Sequence, residues 1–594
     1  MPAATLREFC DGSVAMLAWL EGHGVPFEGS LCPDKTSYPT NRHYLYYSGS
    51  EMSAAGALGS AAGPPAPRGH RTRGRGTSGG LLYARLSAAV RGSGARVLTQ
   101  TAAERLVTGP GGRVAGVECR SLRGAPGWVR LAHRVLYQWS AKPYLYMPKA
   151  GRVLHRPAGW LERRYARPLR VGAARGVVLA AGGFAANRPM LRAHAPTARG
   201  GLPLATPGDD GSGIRLGAEA GGATACLDRV SVWRFLSPPP ALLGGVLVDR
   251  AGERVCDESR YGAALGDAII GRGGRAWLLI DRTTRAEARR QVRGSTLWFQ
   301  RLQAWYLLSS GAVRAPTVAG VASRAGVDPD GLAATLAAYN AAARDPAQPD
   351  PVGKPAAACR AQDQPPYYLI DCSVRPRLFY PAPVLTLGGL VVAPESGQVL
   401  RAEGSPVDGL YAAGRTAAGL CSRSYVSGLS LADCVFSGRR AGRHAAAAPA
   451  PPGRGEGATQ VHPLLFSGRD GKAGAKGGRA VEPFDPTRPN IARVWDYWLG
   501  GKDNFAADRE LAEKMLAVHP PTARMARENR QFLGRAVGYV AARGIQQFID
   551  VGAGLPRALN THDIAQHVNP HARVAYVDND PGLHPLGGGD PEFL

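Results

Sequence analysis

Residues 409–434 read GLYAAGRTAAGLCSRSYVSGLSLADC. The first part predicts a short buried strand over residues 410–413 that stops at Gly414, and the second part predicts a helix that begins at Gly428. A strand, a turn and a helix N-terminus form the local structure that holds many nucleotide cofactors, because the helix end presents free N–H groups and partial positive charge. The stretch therefore predicts an α/β fold with a cofactor near Gly414.

Two further glycine-bearing strand ends need the same explanation. They are VVLAAGGF at residues 177–184 and TLGGL at residues 386–390. Glycine at such points allows a backbone to pass close to a ligand where a side chain would collide. Together with the stretch around Gly414, these segments predict one site that is built from three separate parts of the chain.

The overall composition is that of a globular protein. The chain has 594 residues, of which 44% are hydrophobic and 20% charged, which is enough for several domains. The net charge of +26 leaves two interpretations open, an arginine-rich composition or nucleic-acid binding. The absence of a basic stripe interleaved with aromatic residues favours the first, so no nucleic-acid partner is predicted.

Cysteine usage and the chain termini indicate a cellular compartment. Nine cysteines are spread along the chain without a CxxC pair, so neither a disulfide framework nor a metal site is predicted. The N-terminus lacks a basic region followed by an apolar one, and no run of 18 apolar residues occurs. We therefore expect a cytoplasmic protein without a membrane span.

In their order and spacing, the three glycine segments resemble the flavin-binding part of the fumarate reductase and ketosteroid dehydrogenase family of FAD flavoproteins. The resemblance covers residues 1–445 and is most specific in GLYAAGRTAAGLCSRSYVSGLSLADCVFSGRRAGRHA, residues 409–445. It implies that FAD is the cofactor. The implied cofactor contacts are Ala181, Gly182, Gly183, Gly388, Gly389, Ala413, Gly414, Arg415, Gly428, Leu429, Ser430 and Leu431.

The resemblance also distinguishes two chemistries. Fumarate reductases carry a histidine just before the TxGGL turn, but Pro383, Val384 and Leu385 stand there in this chain, which disfavours fumarate reduction. Ketosteroid dehydrogenases use tyrosines, and AGERVCDESRYG and SRSYVSG place Tyr261 and Tyr425 at corresponding positions.

The predicted reaction moves a hydride from a carbon near a ring ketone to flavin N5. The residues that would transfer the proton and hydrogen-bond to the carbonyl oxygen are Tyr425, Ser427 and Tyr261. Tyr425 and Ser427 are expected to share one face of an extended stretch. The substrate would be a small molecule, a steroid or another cyclic ketone. Two structural alternatives remain: Tyr261 as an ordinary half-buried tyrosine, and Ser427 or Ser430 as the N-cap of a plain helix.

Members of that family begin with a strand, a GxGxxG turn and a helix that grip the FAD pyrophosphate. The N-terminal residues TLREFCDGSVAMLAWLEGHGVPFE resemble the helix that follows this unit, so the doubly wound sheet is expected to be incomplete. The alternative function is therefore a remnant that binds no cofactor and has no catalytic activity.

A second segment follows a linker rich in Pro, Gly and charged residues. IQQFIDVGAGLPRALNTHDIAQ and VAYVDNDP predict a strand, a glycine turn, a helix and a second strand that ends at an acidic residue. With ARVWDYWLGGKDNFAADRE they resemble an actinobacterial family of S-adenosylmethionine-dependent methyltransferases, over residues 481–580. The resemblance implies S-adenosylmethionine binding by Gly552, Gly554 and Asp578, in a truncated enzyme, and leaves methyl transfer as a further alternative function.

The predicted fold class is α/β: an incomplete doubly wound FAD-binding domain with an inserted α+β cap domain, plus a partial Rossmann-like methyltransferase segment. The expected boundaries are 1–224 and 376–445 for the FAD-binding domain, 225–375 for the cap domain, 446–480 for the linker and 481–594 for the methyltransferase-like segment.

Overall fold

The computed structural model describes residues 3–36, 38–53, 65–196, 201–345, 347–375, 380–449, 461–462, 486–487, 489–518, 520–551 and 560–577. The chain divides into two compact units, Met1–Leu465 and Phe466–Leu594. The helices are α1 Ala3–Asp11, α2 Ser13–Gly22, α3 Gly79–Gly92, α4 Gly127–Tyr146, α5 Pro148–Tyr165, α6 Arg188–His194, α7 Ser212–Glu219, α8 Gly262–Gly271, α9 Arg282–Ser295, α10 Trp298–Leu307, α11 Val318–Ala325, α12 Pro329–Arg344, α13 Leu429–Ala447, α14 Ile491–Trp498, α15 Ala506–Val518, α16 Thr522–Ala541 and α17 Thr561–Val568.

The strands are mostly short and form several small sheets. They are β1 Leu45–Tyr46, β2 Gly69–His70, β3 Thr101–Thr108, β4 Val114–Ser121, β5 Arg167–Gly172, β6 Val177–Leu179, β7 Leu202–Pro203, β8 Thr224–Ala225, β9 Val230–Val232, β10 Val246–Val248, β11 Trp277–Ile280, β12 Ala312–Ala315, β13 Tyr367–Asp371, β14 Pro383–Thr386, β15 Gly389–Leu390, β16 Gln398–Leu400, β17 Pro406–Ala412, β18 Val461–His462, β19 Gln547–Val551 and β20 Arg573–Val577.

A three-stranded sheet in the order β16-β17-β6 brings two of the glycine segments together. β17 runs parallel to β6, with Leu410 opposite Val177 and Ala412 opposite Leu179. Because parallel strands end at the same sheet edge, the turns that follow β6 and β17 lie side by side. The third segment reaches the same place through β15, since Leu390 forms a parallel bridge with Ala417.

A four-stranded antiparallel sheet in the order β10-β11-β13-β12 forms the core of the middle of the chain. Alternate residues of its strands enter two different apolar clusters, one with Leu247, Leu278 and Ile370, and the other with Val246 and Leu279. This alternation follows from the two-residue period of a strand and shows that helices cover both faces.

Two helical regions compare differently with the expectations from the sequence. The predicted start of a helix at Gly428 is confirmed, since α13 begins at Leu429 with Gly428 as its N-cap residue. Residues 127–165, for which the sequence predicts no element, form the helical hairpin α4–α5. Pro143 and Pro157 lie inside these helices, and internal prolines obscure a helical pattern in sequence.

The C-terminal unit contains α14 to α17 and the strand pair β19–β20, which is parallel. Arg493 of α14 pairs with the buried carboxylate of Asp508 at 2.9 Å, which ties the first two helices together. The predicted contacts Gly552, Gly554 and Asp578 lie outside the described residues, and so does most of the expected linker. Among the described helices, none combines the length and the hydropathy needed to cross a membrane.

Candidate cofactor and catalytic site

Ser427 is the residue around which the candidate catalytic side chains gather. Its Oγ lies 2.7 Å from the hydroxyl oxygen of Tyr46, which belongs to β1. The side chain of Tyr261 lies close to the same serine, whose hydroxyl moderates the raised pKa of that tyrosine. The structure therefore places Tyr46 on Ser427 and Tyr261 near both, while the catalytic roles of Ser427 and Tyr261 stay predictions.

Tyr261 is a buried residue at the N-cap position of α8, with 4% of its surface exposed. Its backbone N–H donates to Ser50 Oγ at 3.0 Å, which fixes the tyrosine relative to the segment that carries Tyr46. Tyr261 is therefore buried and not half-buried, and this burial does not decide between a structural and a catalytic tyrosine. Its catalytic role stays a prediction.

Tyr425 lies in the same apolar cluster as Tyr261, together with Leu385 and Leu387. Its ring centroid is 5.2 Å from that of Trp233, and its hydroxyl is 3.2 Å from Ser430 Oγ. Tyr425 and Ser427 therefore have different hydroxyl partners, although only one residue separates them in sequence.

The three tyrosines share an electrostatic environment that keeps them neutral. Burial raises the pKa of Tyr46 to about 12, raises the pKa of Tyr261 well above its usual value, and raises the pKa of Tyr425. At neutral pH each phenol therefore holds its proton and can act as a hydrogen-bond donor.

Lys35 brings a cation to this cluster. Its Nζ lies 5.8 Å from the ring centroid of Tyr261 and 3.9 Å from a carboxylate oxygen of Glu51, and it is buried without a hydrogen-bond partner. Burial lowers the pKa of Lys35 to about 8, and the charge of Glu51 only partly opposes this effect. The amine therefore titrates close to neutral pH.

The turns after β6 and β17 are joined by a buried ion pair. Asp209 accepts a hydrogen bond from the Gly183 backbone N–H at 2.7 Å and pairs with Arg415 at 2.9 Å. The Thr416 hydroxyl donates to the Gly182 carbonyl at 3.0 Å, and Gly182 has a left-handed φ of +84°. Arg415 therefore holds the two turns together through Asp209.

The TLGGL glycines have a packing role of their own. A Cβ at Gly388 would lie 2.0 Å from the Cys226 carbonyl oxygen, and one at Gly389 would lie 2.4 Å from that of Thr416. Neighbouring backbone thus explains both glycines without a ligand. Their predicted cofactor contact remains a prediction.

The N-terminus of α13 is open to solvent. Gly428 is exposed with a φ of +81°, and a Cβ there would meet nothing within 4 Å. Leu431 in the first turn is also exposed. The alternative of a serine N-cap is wrong, because no side chain caps this helix, and Ser427 and Ser430 bond to Tyr46 and Tyr425 instead.

The remaining predicted cofactor contacts differ in accessibility. Ala181 is exposed, Leu429 and Ser430 are partly buried, and Ala413 and Gly414 are buried. The exposed positions among the predicted contacts are therefore Ala181 and the start of α13, whereas the turn at Gly414 is covered by other parts of the chain.

Sequence reasoning missed Tyr46 and Lys35. Both lie in the stretch of residues 35–46, KTSYPTNRHYLY, which has no periodic pattern and no recognisable motif. They reach the site only because the stretch folds back onto Ser427 and Tyr261, so no local signal could have identified them.

Two family models match separate parts of the chain. The FAD binding domain family matches residues 2–428, and the S-adenosyl methyltransferase family matches residues 478–585. These matches agree with the two resemblances drawn from the sequence and confirm that the chain joins a flavoprotein region to a methyltransferase-like region.

Individual proteins support the flavoprotein assignment. The 3-oxo-5-alpha-steroid 4-dehydrogenase of Comamonas testosteroni is 36% identical over 419 residues, which cover 69% of this chain and 77% of that protein. The probable fumarate reductase Ifc3 of Shewanella frigidimarina is 28% identical over 287 residues, 46% of this chain and 44% of that protein.

A solved structure has the same fold over most of its length. The 3-ketosteroid-delta4-(5alpha)-dehydrogenase from Rhodococcus jostii RHA1, in complex with 4-androstene-3,17-dione, has a TM-score of 0.59 and 28% identity. The match covers 74% of this chain and 79% of that one. The predicted α/β fold class is confirmed, whereas the expected incompleteness of the sheet and the inserted cap domain stay predictions.

Proposed function

The chain belongs to the family of FAD-binding flavoproteins and is an oxidoreductase of the ketosteroid dehydrogenase type, and on that premise we propose that it removes hydrogen from a carbon–carbon bond near the ketone of a steroid ring. The observation that carries the proposal is the buried group of hydroxyls formed by Tyr46, Ser427 and Tyr261, beside Tyr425.

The residues present fit a flavin cofactor. The exposed N-terminus of α13, with its left-handed Gly428 and empty surroundings, leaves room for an electron-rich group and offers it partial positive charge. We assign the turn around Gly182, the turn around Gly414 and the first residues of α13 to FAD binding. FAD bound there would supply the two-electron acceptor that the dehydrogenation needs.

Hydroxyl groups of the chain itself would donate hydrogen bonds to the carbonyl oxygen of the substrate. Hydrogen beside a ketone leaves more easily when the carbonyl oxygen accepts hydrogen bonds, because negative charge develops on that oxygen. The neutral phenols of Tyr425 and Tyr261 suit this donor role, since burial raises the pKa of both.

Ser427 and Tyr46 would relay the proton that leaves the neighbouring carbon: as one hydroxyl accepts this proton, the other passes its own proton to a base outside the pair, so both end neutral. Their oxygens are 2.7 Å apart, which is a distance for direct proton transfer between hydroxyls. Trp233 and Phe235 stack at 6.0 Å beside Tyr425 and Tyr261 and would exclude water from an apolar ring system. A steroid or another cyclic ketone matches this combination of apolar walls and hydroxyl donors.

The fumarate reductase alternative has less support. It uses a histidine just before the TxGGL turn, whereas Pro383, Val384 and Leu385 belong to strand β14 here, and Leu385 lies in the apolar cluster with Tyr425. The cluster is therefore suited to a ketone more than to a dicarboxylate.

The C-terminal unit supports a second, separate proposal, that residues 478–585 bind S-adenosylmethionine. The carboxylate of Asp550, at the end of β19, accepts a hydrogen bond from the Thr561 hydroxyl at 2.5 Å, which ties the strand to the start of α17. Isothermal titration with S-adenosylmethionine tests this proposal, and the absence of heat above buffer dilution would reject it.

An absorbance experiment tests the main proposal. The purified chain, reconstituted with FAD and freed of excess cofactor, is expected to show a flavin band that bleaches on anaerobic addition of a 3-oxo-5α-steroid. A preparation that retains no flavin would favour the cofactor-free remnant. Retained flavin that is bleached by dithionite and reoxidised by fumarate, but is never bleached by a steroid, would reject the substrate assignment.

A further inference from the structure

The hairpin α4–α5 carries the largest group of exposed apolar side chains in any one pair of adjacent helices that the structure describes. Six large residues are between 48% and 69% exposed, and they are distributed over both helices and the connection between them. They are Trp139, Tyr146, Met147, Val153, Leu154 and Trp160. So many exposed large apolar side chains on one hairpin indicate an interaction surface.

The two helices pack tightly against each other on both sides of the connection. Gly151 of α5 lies so close to α4 that a Cβ there would be 2.2 Å from the Tyr144 Cα. Further from the connection, Ser140 Oγ lies 3.0 Å from His155 Nδ1. The end of the hairpin is therefore a fixed apolar edge.

Charge on the hairpin is almost entirely positive. Residues 127–165 contain eight Lys and Arg residues but only one acidic residue, Glu162, which is already paired with His133. Four of the cations flank the exposed apolar group and have no carboxylate partner within the described part of the chain. They are Lys142, Lys149, Arg152 and Arg156.

We propose that the end of the α4–α5 hairpin docks on an anionic lipid surface. Tryptophan, tyrosine and aliphatic side chains would enter the boundary between headgroups and acyl chains, while lysines and arginines contact lipid phosphates. The fixed apolar edge and the unpaired cations occur on the same hairpin, and binding to an anionic lipid surface requires both. Docking of this kind leaves every helix outside the bilayer core.

A second exposed aromatic surface provides a matched control. On α10, Trp298, Leu302 and Trp305 lie at helical spacing on one exposed face. The cations there are partly engaged, since Arg289 stacks on the ring of Trp305 at 5.5 Å. This surface tests whether exposed tryptophan alone is sufficient for lipid binding.

Co-sedimentation of the full chain with vesicles tests the proposal. Binding is expected to vesicles of phosphatidylcholine mixed with phosphatidylglycerol, and much less to pure phosphatidylcholine. Lys142→Gln with Lys149→Gln should lower the partition coefficient roughly thirtyfold. Tyr146→Ser with Met147→Ser and Leu154→Ser should lower it further, with unchanged far-UV circular dichroism.

The α10 control variant and the oligomeric state, measured by light scattering, provide the outcomes that would reject the proposal. Trp298→Ser with Leu302→Ser should leave vesicle binding intact, and equal loss in this variant would reject the hairpin as the docking element. Failure of the unmodified chain to bind anionic vesicles would also reject it. A dimer that the hairpin variants convert to a monomer would instead identify a second copy of the chain as the occupant.

Discussion

The hydroxyl oxygen of Tyr46 lies 2.7 Å from Ser427 Oγ, although 381 residues separate the two in sequence. This hydrogen bond joins β1 to the segment just before α13 and places a neutral phenol next to the serine. If the pair carries a proton, removal of either hydroxyl must slow the chemical step without removing the cofactor.

Tyr46→Phe is therefore expected to lower kcat/KM about a hundredfold while the flavin absorbance is retained. Tyr44→Phe is the control, because that hydroxyl bonds to the Gly74 carbonyl at 3.3 Å, away from Ser427. Steady-state rates with a 3-oxo-5α-steroid measure the effect, and equal rates in the two variants would contradict a role for Tyr46.

Tyr425→Phe should abolish substrate-dependent bleaching but leave the protein yellow. The phenyl ring keeps its place against Trp233, whereas the hydroxyl 3.2 Å from Ser430 is lost. Ser430→Ala, which removes only the partner, should have a smaller effect. Turnover of Tyr425→Phe at the unmodified rate would show that the carbonyl is held by other donors.

Two glycines should respond in opposite ways to replacement by alanine. Gly388→Ala places a Cβ 2.0 Å from the Cys226 carbonyl, so we expect loss of the folded protein. Gly428→Ala meets no neighbouring atom and costs only the strain of its positive φ, roughly 1–2 kcal/mol. It should fold and bind FAD more weakly. Thermal melts and FAD titration measure both, and unchanged FAD affinity in Gly428→Ala would contradict the assignment of α13 to the cofactor.

A buried ion network stabilises the middle of the chain. Glu258 is fully buried and lies 2.9 Å from Arg254 and 3.0 Å from Lys354. Glu258→Gln leaves two buried cations partly uncompensated and should cost about 3–5 kcal/mol in unfolding free energy. The exposed pair Arg215–Glu219 provides the control, because Glu219→Gln should leave the urea midpoint unchanged.

Lys35 predicts a pH dependence of stability with a definite sign. Its pKa in the folded chain is about 8, below the value near 10.4 of an unfolded lysine. Between these values the unfolded chain binds more protons, so this group makes the unfolding free energy rise with pH. Urea unfolding from about pH 7 to about pH 10 should show that rise in the unmodified protein relative to Lys35→Met. A difference between the two proteins that does not change with pH would contradict the burial of a titrating amine.

Much of the candidate site could be predicted because its residues lie in continuous local patterns. The strand before Gly414, the helix after Gly428 and the spacing of Tyr425 and Ser427 are all fixed within one short stretch of chain. The two glycines at the start of β15 can also be recognised in the sequence, but the reason for them cannot. Only the folded chain shows that the Cys226 and Thr416 backbones already occupy the space a side chain would need.

What the sequence by itself determined is the class of protein: a flavoprotein region followed by a methyltransferase-like region. The tertiary structure alone decided that Tyr46 and Lys35 join Ser427 and Tyr261, and that the α4–α5 hairpin exposes an apolar, cationic edge. The physical reason is the separation along the chain between the residues on which each property depends. Helix starts and strand ends depend on neighbours a few residues away, whereas burial, paired hydroxyls and shifted pKa values depend on atoms that only folding brings together.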